Sequence, residues 1–254
     1  MSQKQKNQTN ENGFVNKNDC YLLYNRELLK EPEADLLNSG IFQQATECHA
    51  ITSGGRGQAW FIEMPGLSTV YRRYLRGGLV ARVNRQTYIG LSLENTRSIK
   101  EWRMLQWMHK KGLPVPRPVA ASVCRWPFRF SPFYRAQILL ERIANVQTLD
   151  LVLSQRPLGD EEWRLVGQCL RYFHNAGVYH ADLNANNILL DTESKVYLID
   201  FDKGEIRGDQ LKNTQWMRDN LQRLKRSLLK QQAIHPDYHF NEKNWQTLIS
   251  AYAG

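Results

Sequence analysis

The sequence predicts an α+β fold, with an antiparallel sheet in its first half and a mainly helical second half. Residues 49–74 contain short runs of β-branched and aromatic residues, separated by glycine and proline turns. From residue 159 to about residue 176, apolar side chains recur near helical spacing. The chain has 254 residues, 42% of them hydrophobic, which suffices for one large domain or for two lobes that share a cleft.

The first half is predicted to form an N-terminal lobe over residues 19–143. Residues 1–18 are rich in Gln, Asn and Lys, and we expect a flexible polar tail there. A helix is predicted over residues 95–111. Its end is set by Gly112 and the prolines that follow, which cannot continue a helix. The predicted strands are residues 49–53, 58–64, 68–74, 119–124 and 136–143.

The second half is predicted to form a C-terminal lobe over residues 144–254. Its first helix begins at residue 159. Two short apolar strands are predicted at residues 188–190 and 196–199, and the chain is predicted to be helical again from about residue 213.

The formal charge of +9 favours an anionic partner, such as a nucleotide, a nucleic acid, a phosphorylated sugar or acidic lipid head groups. Charge alone does not choose among these partners. The polar N-terminus lacks the hydrophobic core of a secretory signal. No run approaches the roughly 20 apolar residues that span a bilayer. We therefore expect no transmembrane segment, and any membrane contact should be peripheral.

The cysteines are predicted to be reduced and mostly buried thiols of a cytosolic protein. They are Cys20, Cys48, Cys124 and Cys169. No two of them have CxxC spacing, and no cluster of metal ligands surrounds any of them. The cysteines therefore indicate no metal site.

The strongest chemical signal is the segment YHADLNANNILL at residues 179–190. Asp182 precedes Asn187 by five residues, and a second apolar strand then ends at Asp200. Phosphoryl transfer needs one carboxylate to orient and deprotonate the attacking hydroxyl, and an amide and a second carboxylate to hold Mg²⁺ on the nucleotide phosphates. The ordered pattern resembles the protein-kinase-like fold. That resemblance implies two lobes, a small antiparallel-sheet N-lobe and a mainly helical C-lobe.

The resemblance also assigns roles within this segment. Asp182 would be the catalytic base, which typically contributes about 10²–10⁴-fold in rate. Asn187 and Asp200 would be ligands of Mg²⁺ on bound ATP. His180 is expected to brace the catalytic loop rather than to react.

On the N-terminal side, the resemblance implies a nucleotide-covering turn and a cation. Gly55 and Gly57 lie in a predicted β-turn that would cover the phosphates, although Trp60 occupies the place of the third glycine. Arg72 stands where such folds place a phosphate-binding Lys on the third strand. Arginine keeps the positive charge and offers a bidentate fork to phosphate.

Two further features would complete the nucleotide site. Glu101, inside the predicted helix, is the expected partner of Arg72, with Glu94 as runner-up. The segment from Glu141 to Ile143 would be the hinge whose backbone holds adenine.

Three departures argue against a protein kinase. Ala181 replaces the Arg that would read an activation-loop phosphate, and Asn184 replaces the Lys expected two residues after the base. Only about fifty residues follow Asp202, with no Ala-Pro-Glu segment, which leaves little room for a peptide-docking lobe. The same fold in kinases of small molecules and glycolipids is the natural alternative.

Four further stretches resemble the bacterial lipopolysaccharide core kinases. They are RRYLRGG at residues 72–78, GLPVPRP at residues 112–118, DFDK at residues 200–203 and NLQRLKRS at residues 220–227. The resemblance covers roughly residues 53–230 and is strongest for the kinases that act on 3-deoxy-D-manno-octulosonic acid (Kdo).

The family resemblance implies ATP-dependent phosphorylation of the 4-hydroxyl of Kdo on a Kdo-bearing lipid A precursor. It also implies peripheral contact with the cytoplasmic face of the inner membrane and no nucleic-acid partner. A heptose kinase of the same pathway and a small-molecule kinase of the aminoglycoside type remain alternatives. In another class, a nucleotide- or RNA-binding pseudokinase remains open, although Asp182, Asn187 and Asp200 are all present.

Four arginines are candidates for contacts with an anionic acceptor: Arg73, Arg76, Arg223 and Arg226. The first two belong to an arginine-rich strip that includes Gly77 and Gly78, and the last two lie on one face of a predicted helix over residues 214–230. A basic amphipathic helix can lie on an anionic membrane or contact a glycolipid, or it can be an ordinary lobe helix with solvated charges. Both readings remain open at this point.

Aromatic and arginine residues alternate over residues 125–135. This segment can be an interfacial membrane loop, a strand hairpin that closes the small lobe, or a surface that stacks nucleic-acid bases. The sequence leaves these three interpretations open.

Overall fold

The computed structural model describes residues 11–51, 58–74, 88–89, 93–125, 133–208 and 214–254. The chain forms two compact units. The first combines residues up to Gln106 with Arg117–Arg142, and the second combines Trp107–Pro116 with Ile143–Gly254. The chain passes from the first unit to the second after Arg142, one residue before the division that the sequence predicts.

The first unit is built on one antiparallel sheet. Its strands are β1 (Asn12–Lys17), β2 (Cys20–Asn25), β3 (Glu47–Ala50), β4 (Gln58–Met64), β5 (Leu67–Arg73), β6 (Tyr88–Ile89), β7 (Pro118–Arg125) and β8 (Phe133–Glu141). Their spatial order is β1-β2-β7-β8-β5-β4-β3, and β6 pairs with β8. β4 has the predicted bounds, and the other predicted strands are present with shifted ends. The α+β prediction is confirmed.

The N-terminal hairpin contradicts the predicted flexible tail for residues 12–17. These residues pair with β2 along their whole length, from Asn12 opposite Asn25 to Lys17 opposite Cys20. All six residues of β2 are buried, and β2 pairs on its other side with β7. An edge strand such as β1 can be polar because its neighbour supplies the backbone partners and the apolar surface.

The apolar core of the first unit is covered by a short helical segment. A π-helical turn at Leu36–Gly40 runs into helix α1 (Ile41–Gln44). Leu37 and Ile41 are fully buried against sheet residues such as Tyr71. Burying one such side chain contributes roughly 1.5–3 kcal/mol. Helix α2 (Arg97–Lys110) follows later in the chain and lies within the predicted helix.

Two of the cysteines form a disulfide, so the prediction of four reduced thiols is wrong. Cys20 and Cys124 stand opposite each other in the β2–β7 register and are joined covalently. They are 104 residues apart in sequence. Their pairing depends on β2, a strand that the sequence pattern did not predict. Cys48 is exposed, which also differs from the expected burial, whereas burial raises the pKa of the Cys169 thiol to about 12.

The aromatic and arginine-rich segment lies in a hairpin. β7 and β8 pair up to Arg125 opposite Tyr134. The flanks of the segment therefore fit the hairpin interpretation, and residues 126–132 lie outside the described residues.

The second unit is mainly helical. Its helices are α3 (Leu149–Gln155), α4 (Asp160–Asn175), α5 (Gln215–Ile234) and α6 (Glu242–Ala253). Its strands are β9 (Val146–Thr148), β10 (Val178–Tyr179), β11 (Ile188–Asp191), β12 (Val196–Leu198) and β13 (Glu205–Ile206). They form a three-stranded sheet in the order β12-β11-β9 and a separate β10–β13 pair.

Helix α4 begins and ends at residues that the sequence marks clearly. The backbone N–H of Gly159 donates to the side chain of Glu162 at 2.8 Å. Three acidic residues in the first turn interact favourably with the positive end of the helix dipole. Gly177, just beyond the helix, has a φ of +76°, a conformation that glycine adopts at little cost. These signals explain why the predicted helix and α4 agree closely.

In the described part of the chain, no helix has both the length and the apolarity needed to cross a bilayer.

The close packing of α4 against α6 depends on Gly167. A Cβ atom at this position would lie 2.3 Å from the backbone oxygen of Leu248. Backbone atoms cannot move aside as a flexible side chain does, so α6 would have to shift. Gly167 therefore sets the distance between these two helices.

We expect Gly167→Ala to lower the free energy of unfolding by about 1–3 kcal/mol, because overpacking displaces α6. Urea denaturation followed by tryptophan fluorescence measures the change. Gly208→Ala is the matched control, since a Cβ there meets no described atom within 4 Å. Equal stability of the two variants would contradict the close-packing argument.

Candidate active site

The loop between β10 and β11 carries the residues predicted to react, and it lies within the second unit. A 3₁₀ turn at Ala185–Asn187 leads directly into β11. Asp182 is exposed on this loop, whereas Asn187 is buried. The exposed carboxylate is accessible to a substrate hydroxyl, while the asparagine amide is held in place.

His180 braces this loop from inside. Its Nε2 donates to the backbone oxygen of Ile199 at 2.9 Å, and its Nδ1 accepts from the backbone N–H of Asp182 at 3.2 Å. The ring also packs against Phe201, with centroids 4.8 Å apart. Because one nitrogen donates and the other accepts, the imidazole is neutral and carries its proton on Nε2. These contacts agree with the bracing role predicted for His180.

The electrostatics of His180 support the neutral form. Burial lowers the pKa of His180 below its usual 6.5. The hydrogen bond to Ile199 and the charges of Asp200 and Asp182 oppose this lowering, while Arg223 adds to it. The histidine is therefore uncharged near neutral pH and is engaged at both nitrogens, so it is not a free base.

Asn220 of α5 holds both backbone polar groups of His180. Its Nδ2 donates to the backbone oxygen of His180 at 2.8 Å, and its Oδ1 accepts from the backbone N–H at 3.2 Å. The two residues are only 1% and 2% exposed, so water cannot replace these bonds. No role is predicted for Asn220 from the sequence, although this residue opens the NLQRLKRS stretch. The 40-residue separation hides this contact from any local pattern.

Three side chains fix the backbone around Asp182. Asn187 Nδ2 and Asn184 Nδ2 both donate to the backbone oxygen of Asp182, at 2.8 and 3.0 Å. The backbone N–H of Ala185 donates to Ser227 Oγ of α5 at 3.2 Å. The loop therefore has a defined shape that does not depend on the Asp182 carboxylate itself.

Asp200 follows β12 in an unusual backbone conformation. Its φ is +64°, in the left-handed region that few residues other than glycine adopt, although aspartate does so more readily than most. The backbone N–H of Ile199 donates to the oxygen of Asn187 at 3.1 Å, next to the β11–β12 pairing. Asn187 and Asp200 therefore lie at the same end of the β11–β12 hairpin.

The donor atoms at this hairpin end suit a hard cation. Asn187 uses its Nδ2 on the Asp182 carbonyl, which leaves its Oδ1 as an oxygen donor. Asp200 adds a carboxylate. Mg²⁺ prefers oxygen ligands and binds through one or two carboxylates together with substrate phosphates. The residues present thus fit the ion that the sequence predicts.

In the first unit, Arg72 and Glu101 form the predicted ion pair. Arg72 Nη2 lies 3.2 and 3.1 Å from the two carboxylate oxygens of Glu101, which is 3% exposed. The hydroxyl of Tyr74 also donates to Glu101, and the Arg72 guanidinium lies 5.6 Å from the centre of the Tyr74 ring. The pairing is present, and its role in nucleotide binding stays a prediction.

The other predicted nucleotide residues fall into two groups. Glu141 ends β8, where its backbone N–H donates to the oxygen of Arg117 at 2.9 Å, and Ile143 begins the second unit. Gly55 and Gly57 lie outside the described residues.

The candidate acceptor arginines differ in their surroundings. On α5, Arg226 is exposed and Arg223 is half-buried. The Nε of Arg223 is buried and has no hydrogen-bond partner within the described part of the chain. Arg73 is half-buried in the first unit, and Arg76 lies outside the described residues. The apolar face of α5 packs inward through Leu221, Leu224 and Leu228, as an ordinary lobe helix does.

A family model described as "Lipopolysaccharide kinase (Kdo/WaaP) family" matches residues 43–252. Three relatives carry the name 3-deoxy-D-manno-octulosonic acid kinase. One from Actinobacillus succinogenes is 37% identical over 94% of this chain and 98% of its own length. One from Stenotrophomonas maltophilia is 42% identical over 82% of this chain and 80% of its own length. One from Mannheimia succiniciproducens is 42% identical over 78% of this chain and 82% of its own length.

We expect Asn220→Ala to lower the free energy of unfolding by about 2–4 kcal/mol, because two buried backbone groups of His180 lose their partners. Chemical denaturation measures this change. Asn186→Ala, at an exposed asparagine of the same loop, is the control and should stay near wild type. A stable Asn220→Ala variant would show that the amide clamp does not support the loop.

Stability should also fall as the pH decreases from 7 to 5. Burial lowers the pKa of His174 from 6.5 to about 4, with His180 adding to the effect and a hydrogen bond to Asn220 opposing it. Between these two values the unfolded chain binds a proton that the folded chain excludes. The stability contribution is therefore complete above the unfolded pKa and is lost as pH falls, by about 2 kcal/mol at pH 5.

Denaturation curves at both pH values test this prediction. His174→Gln should reduce the pH-dependent loss, whereas His235→Gln, at an exposed histidine, should retain it. An unchanged loss in His174→Gln would assign the pH dependence to other groups.

Proposed function

The chain belongs to the lipopolysaccharide kinase (Kdo/WaaP) family, and we propose that it is an ATP-dependent kinase acting on the 4-hydroxyl of Kdo on a Kdo-bearing lipid A precursor. The reaction belongs to the biosynthesis of the lipopolysaccharide core. The observation that carries the proposal is the loop at Asp182. It presents an exposed carboxylate on a backbone that Asn187, His180 and Asn220 hold in place.

The proposed organisation is that of a bilobal kinase. The first unit, with its antiparallel sheet and its Arg72–Glu101 ion pair, corresponds to the nucleotide-covering lobe. The mainly helical second unit, which contains Asp182, corresponds to the catalytic lobe. Residues 19–143 and 144–254 are the proposed extents of these lobes, and residues 1–10 lie outside the described part of the chain.

Asp182 is the proposed catalytic base. Its carboxylate would accept the proton of the acceptor hydroxyl as that oxygen bonds to the γ-phosphorus of ATP, while the bond from this phosphorus to the bridging oxygen breaks and ADP leaves. His180 is unsuited to this step because its Nδ1 already accepts from the Asp182 backbone and its Nε2 donates to Ile199. The division of roles is consistent with exposure: Asp182 is exposed and His180 is 2% exposed.

Asn187 and Asp200 are the proposed ligands of Mg²⁺. When bound, this ion neutralises charge on the phosphates of the nucleotide. The left-handed backbone at Asp200 is consistent with this role, since strained conformations persist where function and packing require them.

ATP binding is assigned to four residues and one hinge. Arg72 is the proposed phosphate cation, and Glu101 orients it through the buried ion pair. Gly55 and Gly57 are proposed to cover the phosphates. The backbone at Glu141 and Ile143 is proposed to hold the adenine ring.

Arg223 and Arg226 are the proposed acceptor-binding residues of the second unit. Both lie on α5, the helix that supplies Asn220 and Ser227 to the catalytic loop. Kdo carries a carboxylate and lipid A precursors carry phosphates, so guanidinium groups near this loop match the acceptor chemically. Because that acceptor is a lipid, we place the enzyme in peripheral contact with the cytoplasmic face of the inner membrane.

The decisive assay measures transfer of labelled phosphate from ATP, in the presence of Mg²⁺ and the purified protein, to a Kdo-bearing lipid A precursor. A heptose acceptor is assayed in parallel. Transfer to Kdo supports the proposal, and transfer to heptose alone would reassign the acceptor. If neither acceptor is phosphorylated and RNA binds tightly in a salt-sensitive manner, the pseudokinase alternative stands.

Asp182→Asn should reduce the rate of transfer by about 10²–10⁴-fold, because the amide cannot take the proton. The unfolding midpoint should be unchanged, since the carboxylate is exposed and the loop is held through its backbone. Asp237→Asn, the same substitution at an exposed aspartate of the second unit, should keep full activity. Full activity in Asp182→Asn would refute the assigned base.

A further inference from the structure

A small polar cavity opens in the first unit, apart from the Arg72–Glu101 pair. Its lining residues are Asn38, Arg73, Tyr74, Arg135, Ala136 and Gln137. Its volume is about 40 Å³, several times the ~10–15 Å³ that one water needs by this measure. Two guanidinium groups and two side-chain amides line the cavity, and no carboxylate is among these residues.

Strand register brings these groups to one face of the sheet. Arg73 of β5 stands directly opposite Gln137 of β8. Arg135 precedes Gln137 by two residues on the same strand, so both side chains point to the same side. Arg72 neighbours Arg73 in sequence and therefore points to the opposite side. The side chains of Arg73, Arg135 and Gln137 are thus on the other face of the sheet from Arg72. Tyr74, which also lines the cavity, donates its hydroxyl hydrogen bond to Glu101.

Aromatic rings hold Arg73 in place. Its guanidinium lies 5.7, 5.3 and 5.7 Å from the ring centres of Phe42, Trp60 and Tyr71. Its Nε donates to the hydroxyl of Tyr71 at 3.0 Å, and that hydroxyl donates to the backbone oxygen of Leu37 at 2.8 Å. The stem of Arg73 is fixed, and the terminal amino groups of its guanidinium make no hydrogen bond within the described part of the chain.

The amides add further donors. Ser122 Oγ donates to Gln137 Oε1 at 2.8 Å, which fixes the amide and leaves its Nε2 towards Asn38. Gln137 Nε2 reaches Asn38 Oδ1 only at 3.5 Å, although Gln137 is 2% exposed. A buried amide with one long contact retains donor capacity for a ligand.

The two arginines repel each other in this setting. Burial lowers the pKa of Arg135, and the charge of Arg73 lowers it further. Guanidinium groups bind phosphate-like oxyanions with charge-assisted, often bidentate, hydrogen bonds.

We infer that the cavity lined by Arg73, Arg135 and Gln137 binds a phosphate-class oxyanion, separately from the nucleotide and catalytic residues. The anion can come from a free phosphate or from the phosphate of an anionic lipid. The site bridges β5, β8 and the turn that carries Asn38, so its occupation should also stabilise the first unit.

The test is a calorimetric titration of the full-length protein with sodium phosphate at constant ionic strength. A non-hydrolysable ATP analogue and Mg²⁺ are present throughout, so that the nucleotide site is filled. Wild type should show saturable binding, and Arg73→Gln and Arg135→Gln should each weaken it by about tenfold or more. Arg26→Gln, at an exposed arginine of the same unit, is the charge-matched control and should bind like wild type.

Wild-type affinity in both Arg73→Gln and Arg135→Gln, or no saturable binding in wild type, would overturn the inference. If Arg73→Gln fails to fold because its aromatic neighbours need the guanidinium, Arg135→Gln alone decides. No acceptor sugar and no phosphoryl transfer enter this experiment, so its failure is distinct from failure of the proposed kinase activity.

A second arm identifies the source of the anion. Phosphatidylcholine vesicles with and without phosphatidic acid are sedimented with wild type and with Arg135→Gln. Arg135-dependent binding to the phosphatidic acid vesicles assigns the site to a lipid phosphate. Saturable inorganic phosphate binding without vesicle binding assigns it to a soluble phosphate, and absence of both refutes the site.

Discussion

The shape of the catalytic loop depends on one buried side-chain amide, that of Asn220. It satisfies the N–H and the carbonyl of His180 together, in a place that is closed to water. His180 in turn holds the backbone of Asp182 and the backbone of Ile199 with its two ring nitrogens. The residue proposed to react and the turn that leads to Asp200 are therefore both held through a single imidazole.

This arrangement separates support from chemistry. Within the described part of the chain, the hydrogen bonds that hold the loop at Asp182 use its backbone and not its carboxylate. Asn184 and Asn187 donate to its backbone oxygen, and its backbone N–H donates to His180. A carboxylate that does not hold its own loop in place keeps its oxygen lone pairs for contacts with a substrate. Asn187 is divided in the same way: its Nδ2 donates to the backbone oxygen of Asp182, and its Oδ1 is the proposed ligand of Mg²⁺.

The predictable parts of the molecule are those with local signals. The order and spacing of Asp182, Asn187 and Asp200 are visible in the sequence itself, and the resemblance to kinase-like folds makes them candidates whose roles stay a prediction. Helix α4 was placed closely because Gly159, its acidic first turn and Gly177 mark both ends. The Arg72–Glu101 pair was expected from the resemblance to kinase-like folds, which place a cation on the third strand and its acidic partner in the helix that follows.

The parts that escaped prediction depend on distant partners. β1 looked like a polar tail because its partner β2 does not show in its own composition. The Cys20–Cys124 bond and the Asn220 clamp join residues 104 and 40 positions apart. No local period or spacing in the sequence encodes such pairs. The cavity at Arg73 and Arg135 is likewise a product of β5–β8 register.

The place of β2 in the sheet bears on how the chain is made. β2 leaves the ribosome about a hundred residues before one of its two neighbours, β7, which ends at Arg125. At about 5–20 residues per second, roughly a hundred residues take on the order of 5–20 s to synthesise. During that interval β2 lacks its second neighbour in the sheet. The sheet of the first unit can therefore be completed only after translation has delivered β7.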